Sequence, residues 1–285
     1  MSSTNTLTSH HGESRTSRAD KMSGWISYIK KITSKLNLDR VNSYAYAKKF
    51  TNKKRRMFLK NKKNWKKNMK SYPKIDYFDK GFFGDTVWAF DKIDGSNLRM
   101  EWNRRRGWYK FGTRNVMINE SDPNFGESIP IFMEKYADDL TKVFKKEYSN
   151  TESVVVFCEF IGENSFAGKH LPEDKKDVVL FDVNLYKKGF ITPKDFIDNF
   201  GHLHIPNLIY KGEYDQNLIR DIRKNIWGLK EGVICKGVRK TKGDELVWMT
   251  KIKSIEWLDK VRELYGEKAL LEELNNNKNL LSYGN

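Results

Sequence analysis

The sequence predicts an α+β fold with mostly antiparallel sheets and flanking helices, preceded by a basic helical segment. Short runs rich in Val, Ile and aromatic residues recur from about residue 83 onward and are separated by turn residues, which is typical of strands. Longer segments of the same region repeat their apolar residues at helical spacing. No internal repeat is visible. Together these observations predict one large domain that follows a different, basic front.

The front of the chain divides into two predicted parts. Residues 1–22 are rich in Ser and Thr and carry almost no apolar side chains, which predicts a disordered tail. Residues 23–75 first place Trp25, Ile29, Ile32 and Leu36 at helical spacing. Aromatic and basic residues then interleave in "KKRRMFLKNKKNWKKNMK". This segment is therefore predicted to be helical and basic, and residues 76–285 form the main domain.

The net charge of +16 lies entirely in this front. Residues 1–80 contain 21 Lys or Arg and 5 Asp or Glu, whereas the remaining 205 residues contain 32 of each kind. A neutral body with a basic front indicates a polyanionic partner. Aromatic side chains among the Lys and Arg fit contacts with the backbone and bases of a nucleic acid. A basic helix whose aromatic residues only dock on the main domain is the alternative.

The main domain is predicted as strands and helices in a definite order. "GDTVWAF" and "NLRMEW" are strands, joined by a turn. "SIPIFMEKYADDLTKVFKKEY" is an amphipathic helix, and the strands "SVVVFCEFIG" and "DVVLFDVNLY" follow it. A short helix "PKDFIDNF", a strand "PNLIYKGEY" and a helix near 215–227 come next. "EGVICKGVRK" and "DELVWMTKIK" form strands around a turn, and "SIEWLDKVRELYGEKALLEEL" closes the chain as a helix.

Composition excludes several classes of protein. No apolar stretch approaches the roughly 18 residues of a membrane span, and the N-terminus lacks the apolar region of a signal peptide. The two cysteines, Cys158 and Cys235, and the five histidines show no metal-site spacing. We therefore expect a reducing, cytoplasmic location, no structural zinc and no membrane partner.

The stretch "DKIDGSN" places Lys92 between Asp91 and Asp94 at the end of a predicted strand. Taken alone, a Lys beside acids in a turn is most often a solvated surface charge, and Asp-Gly is a common hairpin signal. Other charged residues also stand at strand ends, however. Glu159 interrupts a strongly apolar strand, and Glu231 opens another.

The strand "WMTKIKS" adds a pair of cations to this set. Lys251 and Lys253 alternate along it, so strand periodicity sends both side chains to the same face. A lysine, two acids and a same-face lysine pair, all at strand ends, indicate one polar site.

These stretches resemble, in order and spacing, the collinear motifs of covalent nucleotidyltransferases, the superfamily of ATP-dependent RNA and DNA ligases and mRNA-capping enzymes. The resemblance covers about residues 84–257 and is closest to small phage-type RNA ligases. It implies a nucleotidyltransferase domain of the ligase type over residues 76–285. The matching stretches are "KIDGSN", "FGTRN", "FCEFIGENSFAG", "VVLFDV", "EGVICKG" and "TKIKS".

The resemblance also implies a role for each matching residue. Lys92 is the nucleophile that receives AMP, and Lys251 and Lys253 lower its pKa together with Mg²⁺ and hold phosphate oxygens. Glu231 binds the metal. The remaining residues contact the nucleotide: Asp91 reads adenine, Phe181 stacks on it, Glu159 accepts from a ribose hydroxyl, Asp94 orients the turn or the amine, and Asn97 and Arg114 contact phosphate.

The implied activity is an ATP-dependent RNA ligase that joins a 3′-hydroxyl to a 5′-phosphate, with ATP and Mg²⁺ as cofactors and RNA ends, either free or at duplex nicks, as partners. We expect it to act as a monomer. A minimal DNA ligase is the alternative, ahead of a guanylyltransferase or an inactive nucleic-acid-binding homologue. DNA ligases and capping enzymes carry an OB-fold of roughly a hundred residues after the last motif. Only 32 residues follow Lys253, and we expect the basic front to act as the strand clamp instead.

Overall fold

The computed structural model describes residues 69–243 and 245–281. The predicted tail, 1–22, and most of the predicted basic helical segment, up to residue 68, lie outside this range. The described end of that segment, residues 69–75, contains no helix. Instead Met69 and Tyr72 are buried against Val155 and Phe157 of the main domain. No described helix is long and apolar enough to cross a bilayer.

The described chain contains eleven strands in two sheets. In chain order the strands are β1 (Asp76–Tyr77), β2 (Thr86–Asp91), β3 (Ser96–Asn103), β4 (Gly107–Thr113), β5 (Met117–Ile118), β6 (Ser153–Gly162), β7 (Lys176–Leu185), β8 (Gly189–Phe190), β9 (Leu208–Glu213), β10 (Gly232–Lys240) and β11 (Glu245–Lys253).

The first sheet has the order β1-β11-β10-β2-β9, and the second has the order β5-β4-β3-β6-β7-β8. Every pair is antiparallel except β1 with β11. The predicted α+β class with mostly antiparallel sheets is therefore confirmed. The two-residue strands β1, β5 and β8 escaped prediction, because such strands are defined by pairing rather than by a run of strand-forming residues. The seven-residue strand β4 was also not predicted.

Four α-helices accompany the sheets: α1 (Ser128–Lys146), α2 (Pro193–Phe200), α3 (Gln216–Arg223) and α4 (Ile255–Glu273). Three begin at side-chain caps, since Thr192, Asp215 and Ser254 each accept a hydrogen bond from a backbone N–H in the first turn. The sequence predicted one unbroken closing helix, and this was wrong in detail. Gly266 adopts φ 82° and ψ 172°, which breaks α4 into two helical pieces.

Strand β6 is apolar on both faces because each face packs in a different hydrophobic cluster. Val154, Val156 and Cys158 join a core that α1 and α2 cover, whereas Val155 and Phe157 join a second cluster with Met69 and Tyr72. Alternation along the strand puts Glu159 on the same face as Val155 and Phe157. A third cluster packs α3 and α4 on the first sheet. The helices therefore cover one face of each sheet, and the other face of each sheet lies beside the strand ends that carry the polar residues.

Candidate active site

The register of the first sheet brings five of the predicted site residues to one end. Strand β10 begins just after Glu231, and its antiparallel pairing sets Gly232 opposite Lys253 and Ile234 opposite Lys251. Strand β2 ends at Asp91 opposite Val233. The backbone N–H of Lys92 donates to the carbonyl of Gly232 at 2.9 Å. Antiparallel pairing thus gathers residues that lie up to 162 positions apart in the sequence, from Asp91 to Lys253.

The second sheet contributes three more residues. Asn97 is paired with Glu159 across β3 and β6, and Phe181 lies on the neighbouring strand β7. The connection from Lys92 to Gly95 carries the chain from one sheet to the other. A Cβ on Gly95 would lie 2.4 Å from the carbonyl oxygen of Phe160, so this close crossing requires glycine.

All ten predicted site residues line one cavity of about 340 Å³. Arg114 stands at the end of β4, where its side chain is exposed and also lines a neighbouring depression with Thr113 and Asn115. The cavity-lining set is Asp91, Lys92, Asp94, Asn97, Arg114, Glu159, Phe181, Glu231, Lys251 and Lys253. The structure therefore brings together every residue that the sequence singled out.

Three lysines and two glutamates alternate in a continuous chain of ion pairs within the cavity. Lys92 Nζ lies 2.8 Å from Glu231 Oε2, and Lys253 Nζ lies 2.5 Å from Glu231 Oε1. Lys253 also contacts Oε1 of Glu273 at 2.8 Å, and Lys251 contacts the same oxygen at 3.1 Å. The side chains of Glu231 and Lys253 are each 3% exposed. Neither of these ions is hydrated freely, so each depends on its partners.

The pKa of Lys92 is shifted in the direction opposite to the one that we expected from the sequence. Burial lowers the pKa of its ammonium, but Glu231, Glu159 and Glu273 raise it, and the pKa lies above its ordinary value. The sequence led us to expect that Lys251 and Lys253 would lower it. Those lysines are themselves paired with carboxylates, so they bring little uncompensated positive charge. Lys92 is therefore held as an ammonium until its carboxylate partners are engaged elsewhere.

Burial is the main influence on the pKa of Glu159. It raises the pKa of this carboxyl to about 8, with Glu231 and Asp94 adding to the effect and Lys92 and Arg114 opposing it. A carboxylic acid that stays protonated near neutral pH can donate a hydrogen bond as well as accept one. Glu159 is thus suited to a hydroxyl-bearing ligand in either role.

Asp94 holds a loop beside the cavity. Its two carboxylate oxygens accept from the backbone N–H groups of Ala167 and Gly168, at 2.6 and 2.8 Å. Both residues have positive φ, of 51° and 74°, so the loop turns sharply around the carboxylate. In this structure Asp94 thus ties the loop at Ala167 and Gly168 to its own turn.

Several cavity residues were not selected from the sequence. Lys236 is buried and contacts the carbonyl of Phe181 and Oδ2 of Asp182, which also accepts from Tyr72. Lys236 lies in "EGVICKG", so the motif itself carried the signal. Glu273 gave no signal, because it lies in an ordinary helical pattern twenty residues beyond the last motif.

The cavity offers polar atoms that no protein group satisfies. Among the described residues, Oδ1 of Asp91 and Oδ1 of Asn97 are buried without a hydrogen-bond partner. An orphaned acceptor of this kind is costly unless a ligand or water fills the role. Asp91 fits the exocyclic amine of a base, Phe181 offers an aromatic face, and the lysines fit phosphate oxygens. These features suit a purine nucleotide.

A metal would find few protein ligands here. No cluster of three His, Cys, Asp or Glu residues suited to a metal occurs within residues 69–243 and 245–281. Magnesium often binds through one or two carboxylates together with substrate phosphates. The carboxylate of Glu231 has a pKa below its ordinary value, because Lys92 and Lys253 outweigh the effect of burial, and these two ammonium groups occupy both of its oxygens in this structure.

A nucleotide-sized cavity lies between the two sheets, with Lys92 just beyond the end of one strand and Lys251 and Lys253 on another strand. This arrangement is that of a nucleotidyltransferase domain. The RNA ligase family model matches residues 85–253, and the chain belongs to the RNA ligase family. The resemblance inferred from the motifs is therefore confirmed.

Several solved structures are similar to this chain. One is a Naegleria gruberi RNA ligase with PPi, with a TM-score of 0.48 and 16% identity over 68% of this chain and 58% of that chain. A mutant of that ligase with AMP and Mn has a TM-score of 0.47 and 17% identity over 67% and 58%. An archaeal ATP-dependent RNA ligase has a TM-score of 0.47 and 17% identity over 76% and 62%. The chain thus spans 58% of the length of the Naegleria ligase. None of the curated proteins matches it.

Proposed function

We propose that this protein is an ATP-dependent RNA ligase that joins 3′-hydroxyl and 5′-phosphate ends through AMP linked covalently to Lys92. One observation carries the proposal: the ten residues selected from separate sequence motifs line a single cavity of nucleotide size. Membership of the RNA ligase family supports it.

In the first step the nitrogen lone pair of Lys92 attacks the α-phosphorus of ATP. A P–N bond forms, the bond from that phosphorus to the bridging oxygen breaks, and pyrophosphate leaves while the ammonium proton is lost. Only the neutral amine can attack. Because Glu231 lies 2.8 Å from Lys92, moving that carboxylate onto another cation favours the neutral amine.

The other cavity residues bind and orient the nucleotide in this proposal. Asp91 accepts from the adenine amine, Phe181 stacks on the ring, and Glu159 contacts a ribose hydroxyl. Asn97 and Arg114 contact phosphate. Lys251 and Lys253 stabilise the charge that gathers on phosphorus during transfer.

Glu231 would hold the metal, and Mg²⁺ when bound supplies positive charge to the phosphate oxygens. Once AMP is linked, Lys92 passes it to the 5′-phosphate of a strand. A 3′-hydroxyl then attacks that activated phosphate, and AMP leaves. Each of these steps needs positioning and charge neutralisation more than new functional groups, so one cavity serves all three.

Labelling tests the first step. With α-labelled ATP and Mg²⁺ the protein should gain the mass of AMP on Lys92, in a bond that is stable to alkali and labile to acid. Lys92→Ala and Lys92→Arg should abolish the adduct. Lys142→Ala removes a lysine whose side chain is 75% exposed on α1, and it should label normally. An adduct that persists in Lys92→Ala would show another nucleophile. Labelled GTP in place of ATP tests for a guanylyltransferase.

Sealing assays test the substrate. Nicks and single strands with all-RNA, mixed and all-DNA ends should be sealed in that order of efficiency. Sealing of all-DNA nicks at the highest rate would make the protein a minimal DNA ligase instead.

The basic front, outside the described residues, is proposed as the strand clamp. Removing residues 1–68 keeps Met69 and Tyr72, which pack in the body. This truncation should leave self-adenylylation nearly intact and abolish sealing. Equal sealing by the truncated protein would show that the basic front has no part in sealing.

A further inference from the structure

Glu273 enters the cavity from outside the matched family region. It is the last residue of α4, twenty positions beyond Lys253. Its Oε1 lies 2.8 Å from Lys253 Nζ and 3.1 Å from Lys251 Nζ, and Tyr77 donates to the same oxygen at 3.2 Å. One carboxylate oxygen therefore neutralises both lysines of the "TKIKS" strand.

The backbone of Glu273 is fixed while its side chain is not enclosed. The hydroxyl of Tyr77 donates to the carbonyl oxygen of Glu273 at 2.9 Å, and the flanking Leu270 and Leu274 are fully buried. The Glu273 side chain is 28% exposed. Its carboxylate can thus leave the lysines by rotation about side-chain bonds, with no movement of the helix.

The lysines that Glu273 occupies are the ones that a nucleotide needs. In the proposed function Lys251 and Lys253 hold phosphate oxygens, yet in this structure both point at a protein carboxylate. A carboxylate and a phosphate present similar anionic oxygens to an ammonium. The two anions cannot share the lysines without repelling each other at close range.

We propose that the carboxylate of Glu273 competes with the polyphosphate of the nucleotide for Lys251 and Lys253, and that ATP binds by displacing this carboxylate from the two lysines. This inference rests on the proposed function. The role that it gives to Glu273 is one that none of the motif residues has. When pyrophosphate leaves, the carboxylate returns to the lysines and opposes pyrophosphate rebinding, so Glu273 also disfavours reversal of the first step.

Two neighbouring carboxylates supply a matched pair of variants. Glu273→Gln keeps the shape of the side chain and removes the charge that faces the lysines. Glu272→Gln makes the same change one residue earlier on α4, where the side chain is 67% exposed and its ion pair, with Lys268, is 3.9 Å long. Any effect of net charge or of helix stability should appear in both variants.

Binding of α,β-methylene-ATP with Mg²⁺ to the full-length protein, measured by calorimetry, tests the competition. Glu273→Gln should bind about tenfold more tightly, a difference of about 1.4 kcal/mol, whereas Glu272→Gln should match the wild type. Inorganic pyrophosphate should likewise remove AMP from Lys92 faster in Glu273→Gln. Adding Glu273→Gln to a Lys251→Ala, Lys253→Ala protein should have no effect on affinity, because the contested cations are gone.

The outcomes separate this inference from the proposed function. If the wild type neither binds the analogue nor forms the adduct, the proposed function fails and the inference fails with it. If the wild type binds but Glu273→Gln binds equally or more weakly, Glu273 holds the lysines in place for ATP and the competition is refuted. Should Glu273→Gln fail to fold, Glu273→Asp gives the test. Its shorter side chain weakens both ion pairs and should tighten binding to a smaller extent.

Discussion

Lys253 Nζ lies 2.5 Å from Oε1 of Glu231 and 2.8 Å from Oε1 of Glu273, so one buried ammonium joins two carboxylates. The ring of Trp257 covers it, with the ammonium 3.6 Å from the ring centroid. Lys92 binds the other oxygen of Glu231, and Lys251 shares Oε1 of Glu273 with Lys253. The charge state of Lys92 is therefore linked through Glu231 to Lys253, and through Glu273 to Lys251.

Lys251→Ala and Lys253→Ala should each slow formation of the adduct by at least ~10²-fold, the size typical of losing one preorganised electrostatic contact. The loss should be in rate more than in ATP affinity, because charge on phosphorus is greatest in the transition state. Single-turnover labelling at saturating ATP measures this rate. Raising the pH should partly rescue Lys253→Ala, since Glu231 then pairs with Lys92 alone and holds it more firmly as an ammonium.

Lys74→Ala provides the control for those two variants. Lys74 lines the same cavity but is exposed, so its removal changes the net charge without removing a buried contact. It should slow the adduct much less. Equal losses from Lys74, Lys251 and Lys253 would mean that general positive charge, rather than placed ammonium groups, accounts for the effect.

Glu273 should stabilise the fold in a pH-dependent manner. Burial opposes its ionisation, but Lys253 and Lys251 lower the pKa of its carboxyl to about 2 from an ordinary 4.5. A lowered pKa gives stability that is present above pH 4.5 and is lost as the pH falls toward 2. At neutral pH Glu273→Gln should lose roughly 2 kcal/mol of unfolding free energy. Urea unfolding between pH 7 and 3 should show that difference shrinking with acid, while Glu272→Gln matches the wild type throughout.

Charge placed at or near strand ends indicated five of the ten site residues in the sequence: Lys92, Glu159, Glu231, Lys251 and Lys253. Lys92, Glu231 and Lys253 stand where β2 ends, β10 begins and β11 ends, and antiparallel pairing must bring such ends together. Glu159 was visible as one acid in an apolar strand. For these five residues a local pattern and a pairing rule indicated a shared site, whereas the others, including Asn97, Arg114 and Phe181, were selected through the resemblance of their motifs to the nucleotidyltransferase family.

The remaining features depend on packing between distant segments. Glu273 meets the lysines only because α4 docks its buried leucines on the first sheet, and nothing in "ALLEEL" distinguishes this acid from Glu272. Burial lowers the pKa of Lys92, but Glu231 and Glu159, which approach it from the two different sheets, raise it above its ordinary value. The break at Gly266 was also hidden, because a single glycine is tolerated within a helical pattern.

Asp94→Ala should loosen the loop at Ala167 and Gly168. Both amides donate to the Asp94 carboxylate, so their hydrogen exchange should accelerate when it is removed. The amides of β7 should keep their protection, since that strand is held by the sheet. Adduct formation should fall because the loop lines the cavity. Unchanged exchange at both amides would contradict the positioning role.

RNA binding should weaken steeply with salt. If the basic front neutralises about six phosphates of a single strand, the slope of log affinity against log salt should be about −4. Fluorescence anisotropy of labelled RNA across a salt series measures it, and the protein without residues 1–68 should give a shallower slope. A slope near zero for the full-length protein would exclude the front from binding.

Glu159 should destabilise the fold as the pH rises, the reverse of Glu273. Its carboxyl has a pKa of about 8 in the folded protein and an ordinary value of 4.5 when unfolded, chiefly because of burial. Between these values the folded state keeps a proton that the unfolded state has lost, so each step up in pH favours unfolding.

Glu159→Gln has the shape of the protonated acid and cannot ionise. Its Tm should equal that of the wild type near pH 4.5 and exceed it by a growing margin up to pH 8, whereas Glu163→Gln, at an exposed position of the adjoining turn, should show no such trend. A Tm difference that stays constant from pH 5 to pH 8 would mean that Glu159 is ionised throughout, held by Lys92 and Arg114, and that it meets a ribose hydroxyl only as an acceptor.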